Sequence, residues 1–151
     1  MRAVITLLTC ACLLAATATE QQKDSAGRYG VIVKDKLIPE VVKHGAIEVG
    51  RFEVTRAQYH EWDSGYFVKD GTANQPANEI TPAEAQGYVD WLSTLTGDAW
   101  RLPKEEEVAG LERKLDVWVL GKDGKVKLMG SHDPPEPEHT GFRVVRAQHK
   151  P

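Results

Sequence analysis

Residues 74–113 read NQPANEITPAEAQGYVDWLSTLTGDAWRLPKEEEVAGLER, and a helix with both of its ends is written inside them. Thr81 is the residue type that caps a helix N-terminus, Pro82 follows at the first helical position, and Glu84 stands where its carboxylate can close a capping box onto the Thr81 amide. Ala85, Tyr88, Val89, Leu92 and Leu95 then recur at helical spacing, which makes one face apolar. Gly97 supplies a left-handed stop. Beyond it, Trp100-Arg101-Leu102 predicts a short extended piece. A further helix is expected over Glu105–Arg113, with acidic residues on the first turn, where the helix dipole favours negative charge.

Upstream, Thr55 and Gln58 form a second capping signature. The helix they open should turn Tyr59 and Trp62 inward and end before Gly65, leaving 64–80 as a long extended connection. Tyr29–Val33 and Leu37–Val42 read as extended apolar pieces. Ala46–Val54 alternates as a half-buried strand whose phase breaks at Gly50. Downstream, Leu115–Leu120 and Val126–Met129 flank a hairpin turn at Lys122-Asp123-Gly124-Lys125. Residues 131–140 are a Pro-rich acidic loop, and Phe142–Val145 predicts a closing strand. There is no internal repeat. The fold class expected is α+β: two main helices, a shorter third, and a mostly antiparallel, irregular sheet.

The N-terminus has the composition of an export signal. Arg2 supplies the positive end, residues 3–16 are an almost uninterrupted apolar run, and Ala16-Thr17-Ala18 is a small-residue cleavage site. The run is too short to span a bilayer, and no later segment is long enough. The expected organisation is a signal peptide over 1–18 cleaved after Ala18, a polar lead-in over 19–28, and one domain over 29–151. The location expected is secreted or periplasmic; a lipoprotein anchored through Cys12 is the second reading. Both cysteines of the sequence, Cys10 and Cys12, lie in the signal segment, so residues 19–151 contain no thiol. The formal net charge of −3, with basic residues scattered along the chain, gives no reason to expect a nucleic-acid partner.

The 74–113 stretch also resembles the signature of the formylglycine-generating enzyme family, also called the sulfatase-modifying-factor family. Members read roughly Pro-Val-x-x-Val-Ser/Thr-Trp-x-Asp-Ala, then a Tyr-x-x-Trp-Leu helix, then Arg-Leu-Pro-Thr-Glu-Ala-Glu-Trp-Glu. Pro76, Thr81, Glu84-Ala85, Tyr88, Trp91-Leu92, Arg101-Leu102-Pro103, Glu105 and Glu107 occur here in the same order. Residues 52–59 and Gly141-Phe142-Arg143 fit as flanking pieces, so the resemblance covers about 46–146. It implies a minimal C-type-lectin-like core in which Arg101, Glu105 and Glu107 are scaffold tying helix to sheet. Lys104, Val108 and Ala109 depart from the pattern, and the missing capping Thr should weaken the third helix start by about 1 kcal/mol.

Asp116-Val117-Trp118 resembles the family's Gly-Asn-Val-Trp-Glu-Trp motif, and Met129-Gly130-Ser131 its Arg-Gly-Gly-Ser-Trp. In the family, calcium ligands precede the first motif and a copper-binding cysteine pair follows the second. Here only Lys114 and Leu115 lead into the first motif, and 131–140 holds no cysteine. Copper(I) redox chemistry needs thiolate, so the resemblance implies the scaffold without the activity, and no cofactor is expected.

Two readings of function follow. The first is a non-catalytic binding or interaction module outside the cytoplasm, with an unspecified protein or small ligand as partner. Trp118, Ser131, His132 and Asp133 are its candidate surface, since loops on a rigid scaffold commonly carry binding. The second is an oxygen-using iron enzyme ligated by histidine. His132, Asp133 and His139 are its candidate metal ligands, in a loop that also holds Glu136 and Glu138. Because the two histidines match no standard ligand spacing, a solvated acidic loop stiffened by Pro134, Pro135 and Pro137 is the reading adopted. Tyr59, Trp62, Tyr88, Trp91, Trp100 and Phe142 are assigned to the core, and His44, His60 and His149 to the exposed surface. There is no Ser-His-Asp arrangement, phosphate loop or dinucleotide fingerprint.

Overall fold

Local end signals decide where this chain is helical. The structure, a computed structural model, describes residues 20–147; the expected signal segment with Cys10, Cys12 and Ala18, and His149, lie outside the described residues. In chain order the elements are β1 (Val31–Val33), β2 (Lys36–Ile38), β3 (Val41–His44), β4 (Ile47–Gly50), α1 (Arg56–His60) and α2 (Pro82–Thr96). Then follow β5 (Trp100–Arg101), α3 (Glu105–Val108), β6 (Asp116–Leu120), β7 (Val126–Met129), a 3₁₀ turn over Pro137–His139, β8 (Thr140–Gly141) and β9 (Val145–Arg146). Over the described residues the chain is therefore α+β, with one long helix and two short ones. Among the described residues no helix is long and apolar enough to cross a membrane.

Both expected capping boxes form. Thr55 Oγ1 accepts the Gln58 amide at 3.2 Å while Gln58 Oε1 accepts the Thr55 amide at 3.0 Å. Thr81 and Glu84 repeat the exchange at 3.2 and 3.0 Å, and Gly97 ends α2 at φ 78°, donating to Ser93 O at 2.9 Å. Thr81→Ala should therefore cost about 1 kcal/mol in a urea melt; an unchanged midpoint would mean the cap is idle.

The third helix is much shorter than expected. It ends at Val108 instead of Arg113. Gly110 disfavours helix, and the Lys114 and Leu115 amides both donate to Glu53 Oε1 at 2.8 Å, which pulls the chain away from the helical path. At its start Lys104 has no acceptor to offer, but Glu107 reaches back to the Lys104 amide at 2.7 Å. Arg101 forks onto the same Glu107 carboxylate at 2.7 and 2.9 Å. Glu105 pairs with Lys127 instead.

Among the described residues the strands form three sheets, β1–β2, β3–β4–β9–β5 and β7–β6–β8, all antiparallel except the β6–β8 pair. The 37–42 piece divides at Pro39 between β2 and β3. The closing strand expected over Phe142–Val145 forms only at its last residue, in β9. Gly141 pairs with Val117 in one sheet while Val145 pairs with Val49 and Arg101 in another, and Phe142–Val144 cross between them, buried. Residues 20–28 do not trail. Asp24 Oδ1 accepts the Ala26 and Arg28 amides, and the Asn74 side chain ties down Tyr29 N and Gly27 O.

The larger core joins α1 and α2 to Phe142. Tyr59, Tyr88 and Phe142 are fully buried, with ring centroids 5.4–6.3 Å apart, and Val89, Leu92, Trp100 and Leu102 continue the same cluster. Trp62 and Trp91 are half-buried and lean against it. A smaller core of Val49, Val108, Val117, Val119 and Val145 lies across the central strands. Pro103 is buried and its carbonyl accepts Leu120 N at 2.8 Å, which docks the 100–108 segment on β6.

Candidate functional site

The face that carries the candidate residues is built on strand β6. Asp116 and Trp118 are two residues apart, so their side chains leave the same side of the strand. The 131–140 loop follows β7 and lies over that side, touching both. Asp116 is buried, yet its carboxylate is well supplied with donors. Oδ1 accepts the Ser131 amide at 3.1 Å and Arg113 Nη1 at 3.3 Å; Oδ2 accepts the His132 amide at 3.3 Å and meets His132 Nδ1 at 2.8 Å. Burial is the largest single influence on this carboxyl and pushes its pKa up. The hydrogen bonds from the His132 ring and the Ser131 and His132 amides outweigh it together, and the group sits below the ordinary value of 3.8. The contribution to stability is thus present above the ordinary value and is lost as the pH falls through the lower folded one.

An ionised carboxylate only accepts, so His132 Nδ1 must carry the proton and donate it. With Nδ1 turned to Asp116, Nε2 is the ring nitrogen left free of that contact.

Gly130 makes this arrangement feasible. A Cβ at that position would lie 2.0 Å from Asp116 Cγ, inside any allowed contact. The Met129-Gly130-Ser131 and Asp116-Val117-Trp118 motifs are therefore one unit, in which a bare backbone lets a buried carboxylate collect the start of the loop. Gly130→Ala should cost about 1–3 kcal/mol through overpacking and free His132 from Asp116. Denaturant melts together with the His132 ring NMR signals would show both effects, and a neutral substitution would contradict the described contact.

The rest of the loop brings the two histidines together. Glu136 precedes the 3₁₀ turn Pro137–His139. With three residues per turn its side chain eclipses that of His139, and His139 Nε2 lies 3.2 Å from Glu136 Oε2. The rings of His132 and His139 stack with centroids 4.5 Å apart and planes 5° from parallel. One ligating atom from each of His132, Glu136 and His139 lies within 4.8 Å of the others. Asp133, expected as a third ligand, is exposed and outside this group; Glu136 takes its place because it, and not Asp133, shares the turn with His139.

Trp118 is half-buried, with Nε1 donating to Ile80 O at 2.7 Å. The indole is thus a fixed wall and not a free probe of solvent. With Ile80, Pro82, Pro135, Pro137 and Thr140 it encloses an open cleft of about 240 Å³. Thr140 Oγ1 donates to Pro137 O at 2.8 Å and lies 3.2 Å from Ile80 O, and Asn78 Nδ2 holds Glu138 O at 3.0 Å, so both walls are tied together. At the lip, Glu79 has φ 59°, a left-handed conformation that non-glycine residues seldom adopt. A second cleft, of about 280 Å³, lies beside the β1–β2 hairpin, but its walls include Glu40, Asp98 and Arg146 and none of the expected site residues.

Of the candidate surface residues, Trp118 lines the cleft, Ser131 serves through its amide, His132 belongs to the histidine–carboxylate group, and Asp133 is simply exposed. His44 and His60 are exposed as expected. Comparison with known protein families, curated proteins and solved structures finds no match to this chain.

Proposed function

We propose that this domain is a non-catalytic binding or interaction module that works outside the cytoplasm. In this reading it is a short, degenerate relative of the formylglycine-generating enzymes, built on a pared-down C-type-lectin-like core and exported by its N-terminal signal. The observation that carries the proposal is the composition of the 131–140 loop. It has no cysteine, and neither does any other position after Cys12. Oxidation of a substrate cysteine through a thiolate-bound copper begins with a thiol, and this chain has none to offer there.

The cleft beside Trp118 supports a binding role. It is concave, mostly apolar and bounded by tied-down walls, with a few polar groups at the rim, which are common features of sites for small ligands or side chains of a partner. Ile80 and Trp118 line it together with the rigid rings of Pro135 and Pro137. The occupant is proposed to be an apolar or aromatic group, of a small ligand or of a partner protein, rather than nucleic acid.

The test is an assay of the purified protein with a sulfatase-motif peptide, copper and oxygen, followed by mass spectrometry for conversion of cysteine to aldehyde. No conversion above a metal-only blank is expected. Catalytic turnover above that blank would overturn the proposal.

A further inference from the structure

We propose that His132, Glu136 and His139 form a binding site for a divalent transition-metal ion of the zinc type, with Asp116 as the group that orients His132. The assignment does not rest on the binding-module reading, since a metal ion here could equally brace a loop or serve chemistry.

Four observations converge on it. Two imidazoles and one carboxylate place ligating atoms within 4.8 Å of one another. They come from a loop that closes on itself through a 3₁₀ turn, so Glu136 and His139 approach by backbone geometry and not by chance collision of distant elements. His132 has its Nδ1 taken up by a buried carboxylate at 2.8 Å, the outer partner typical of metal-bound histidine, and this leaves Nε2 as the ligating nitrogen. Asp116 itself is fixed by the Ser131 and His132 amides and by Arg113, so the ring it holds has a defined direction.

The donor set selects the ion. Imidazole nitrogen suits zinc, copper, nickel and iron, whereas calcium and magnesium prefer oxygen-rich sites. Three protein ligands leave a tetrahedral ion one open position for water or for a group of a bound ligand.

Around zinc, donors at 2.0–2.1 Å from the metal stand about 3.3 Å apart, closer than the 4.8 Å limit here. Nearly parallel rings also aim their in-plane lone pairs side by side rather than at one point. Binding must therefore draw the group together and tilt one ring. His139 and Glu136 are the parts that move, because both are partly exposed and pair with each other, whereas the similarly exposed His132 is held by the buried Asp116 carboxylate. His132 is the fixed ligand.

The experiment is calorimetric titration of the chain from Thr19 onward, the expected exported form without Cys10 and Cys12, stripped with chelator, using zinc chloride, with calcium and magnesium chlorides as controls. One zinc ion per chain is expected, with no comparable binding of calcium or magnesium. His139→Ala should abolish the stoichiometric site, and Asp116→Asn, which keeps the shape but removes the charge, should weaken it about 10–100-fold. His44→Ala with His60→Ala should leave it unchanged. Because His139 is a surface side chain, its loss leaves folding intact, as circular dichroism would verify. In NMR spectra the His132 and His139 ring signals should shift together on adding zinc. The assignment is overturned if the stripped protein takes up no zinc stoichiometrically, or if uptake survives His139→Ala.

Discussion

Phe142→Ala is expected to destabilise the domain by about 3–5 kcal/mol. Phe142 is fully buried, and its ring meets Tyr88 edge-on at 5.4 Å and Tyr59 at 6.3 Å, so it joins both capped helices to the chain crossing between two sheets. The cost has two parts, lost transfer of the ring from water and the cavity left behind. The cavity cannot close easily here. Tyr59 is held by its hydroxyl on Glu84 Oε2 at 3.2 Å and Tyr88 by its hydroxyl on Gln58 O at 3.3 Å, while Phe142 O accepts Val54 N at 2.9 Å. Urea melts measure the loss. Phe67→Ala, at a side chain 82% exposed, should stay within about 0.5 kcal/mol of the parent. A loss below about 1 kcal/mol at Phe142 would mean that the aromatic cluster is not packed as described.

Glu53→Ala should cost a similar amount, about 2–5 kcal/mol, because it leaves two amides without their acceptor at about 1–3 kcal/mol each and removes a charge that favours the Arg143 cation. Glu53 and Arg143 are both buried, at 4% and 6% exposure. Burial lowers the Arg143 pKa, and the charges of Glu53 and Glu112 oppose that shift. Arg143 Nη2 donates to Glu112 O at 3.0 Å and Arg51 O at 3.4 Å, and its Nε is buried without a hydrogen-bond partner among the described residues. Removing Glu53 takes away one of the two carboxylates whose charge opposes the burial shift of Arg143 and strands the Lys114 and Leu115 amides that Glu53 Oε1 now accepts. Glu53→Gln keeps an acceptor for the amides and should cost less. The double variant with Arg143→Met should cost less than the two single losses added together, because the surviving partner of each single variant is the main source of its penalty. Strict additivity would show the two residues to be independent.

What the sequence discloses depends on the range over which each feature is determined. Thr55 with Gln58, and Thr81, Pro82 and Glu84 with Gly97, act within a single turn, so the starts of both helices and the end of the longer one are legible from neighbouring residues. The β6–β7 hairpin is legible for the same reason, since Gly124 supplies the positive φ its turn requires. The early end of α3 is not, because the Lys114 and Leu115 amides are captured by Glu53, a residue far back in the chain. Nor is the loss of strand over Phe142–Val144, where the chain crosses from the sheet that pairs Gly141 to the one that pairs Val145.

The candidate site divides in the same way. His132 and His139 are visible as a pair of ligating side chains in one loop. That they stack, that Glu136 and not Asp133 joins them, and that Asp116 holds one ring depend on the 3₁₀ turn and on contacts across the hairpin. The Glu136–His139 spacing was the available signal, since side chains three apart eclipse in such a turn. Trp118 was visible as an aromatic with an open side, but its hydrogen bond to Ile80 O, which turns it into a wall of a cleft, comes from the segment before α2.

The claim that the hairpin-and-loop face is the binding surface is tested most directly by photo-crosslinking in the producing organism. A photoreactive phenylalanine analogue is placed in the full chain at position 135, on the edge of the cleft, or at position 43, in a hairpin of another sheet. A discrete adduct of defined mass is expected from position 135, lost when Trp118→Ala is added, and no such adduct is expected from position 43. An adduct from position 43 with none from position 135, or one indifferent to Trp118, would contradict the claim.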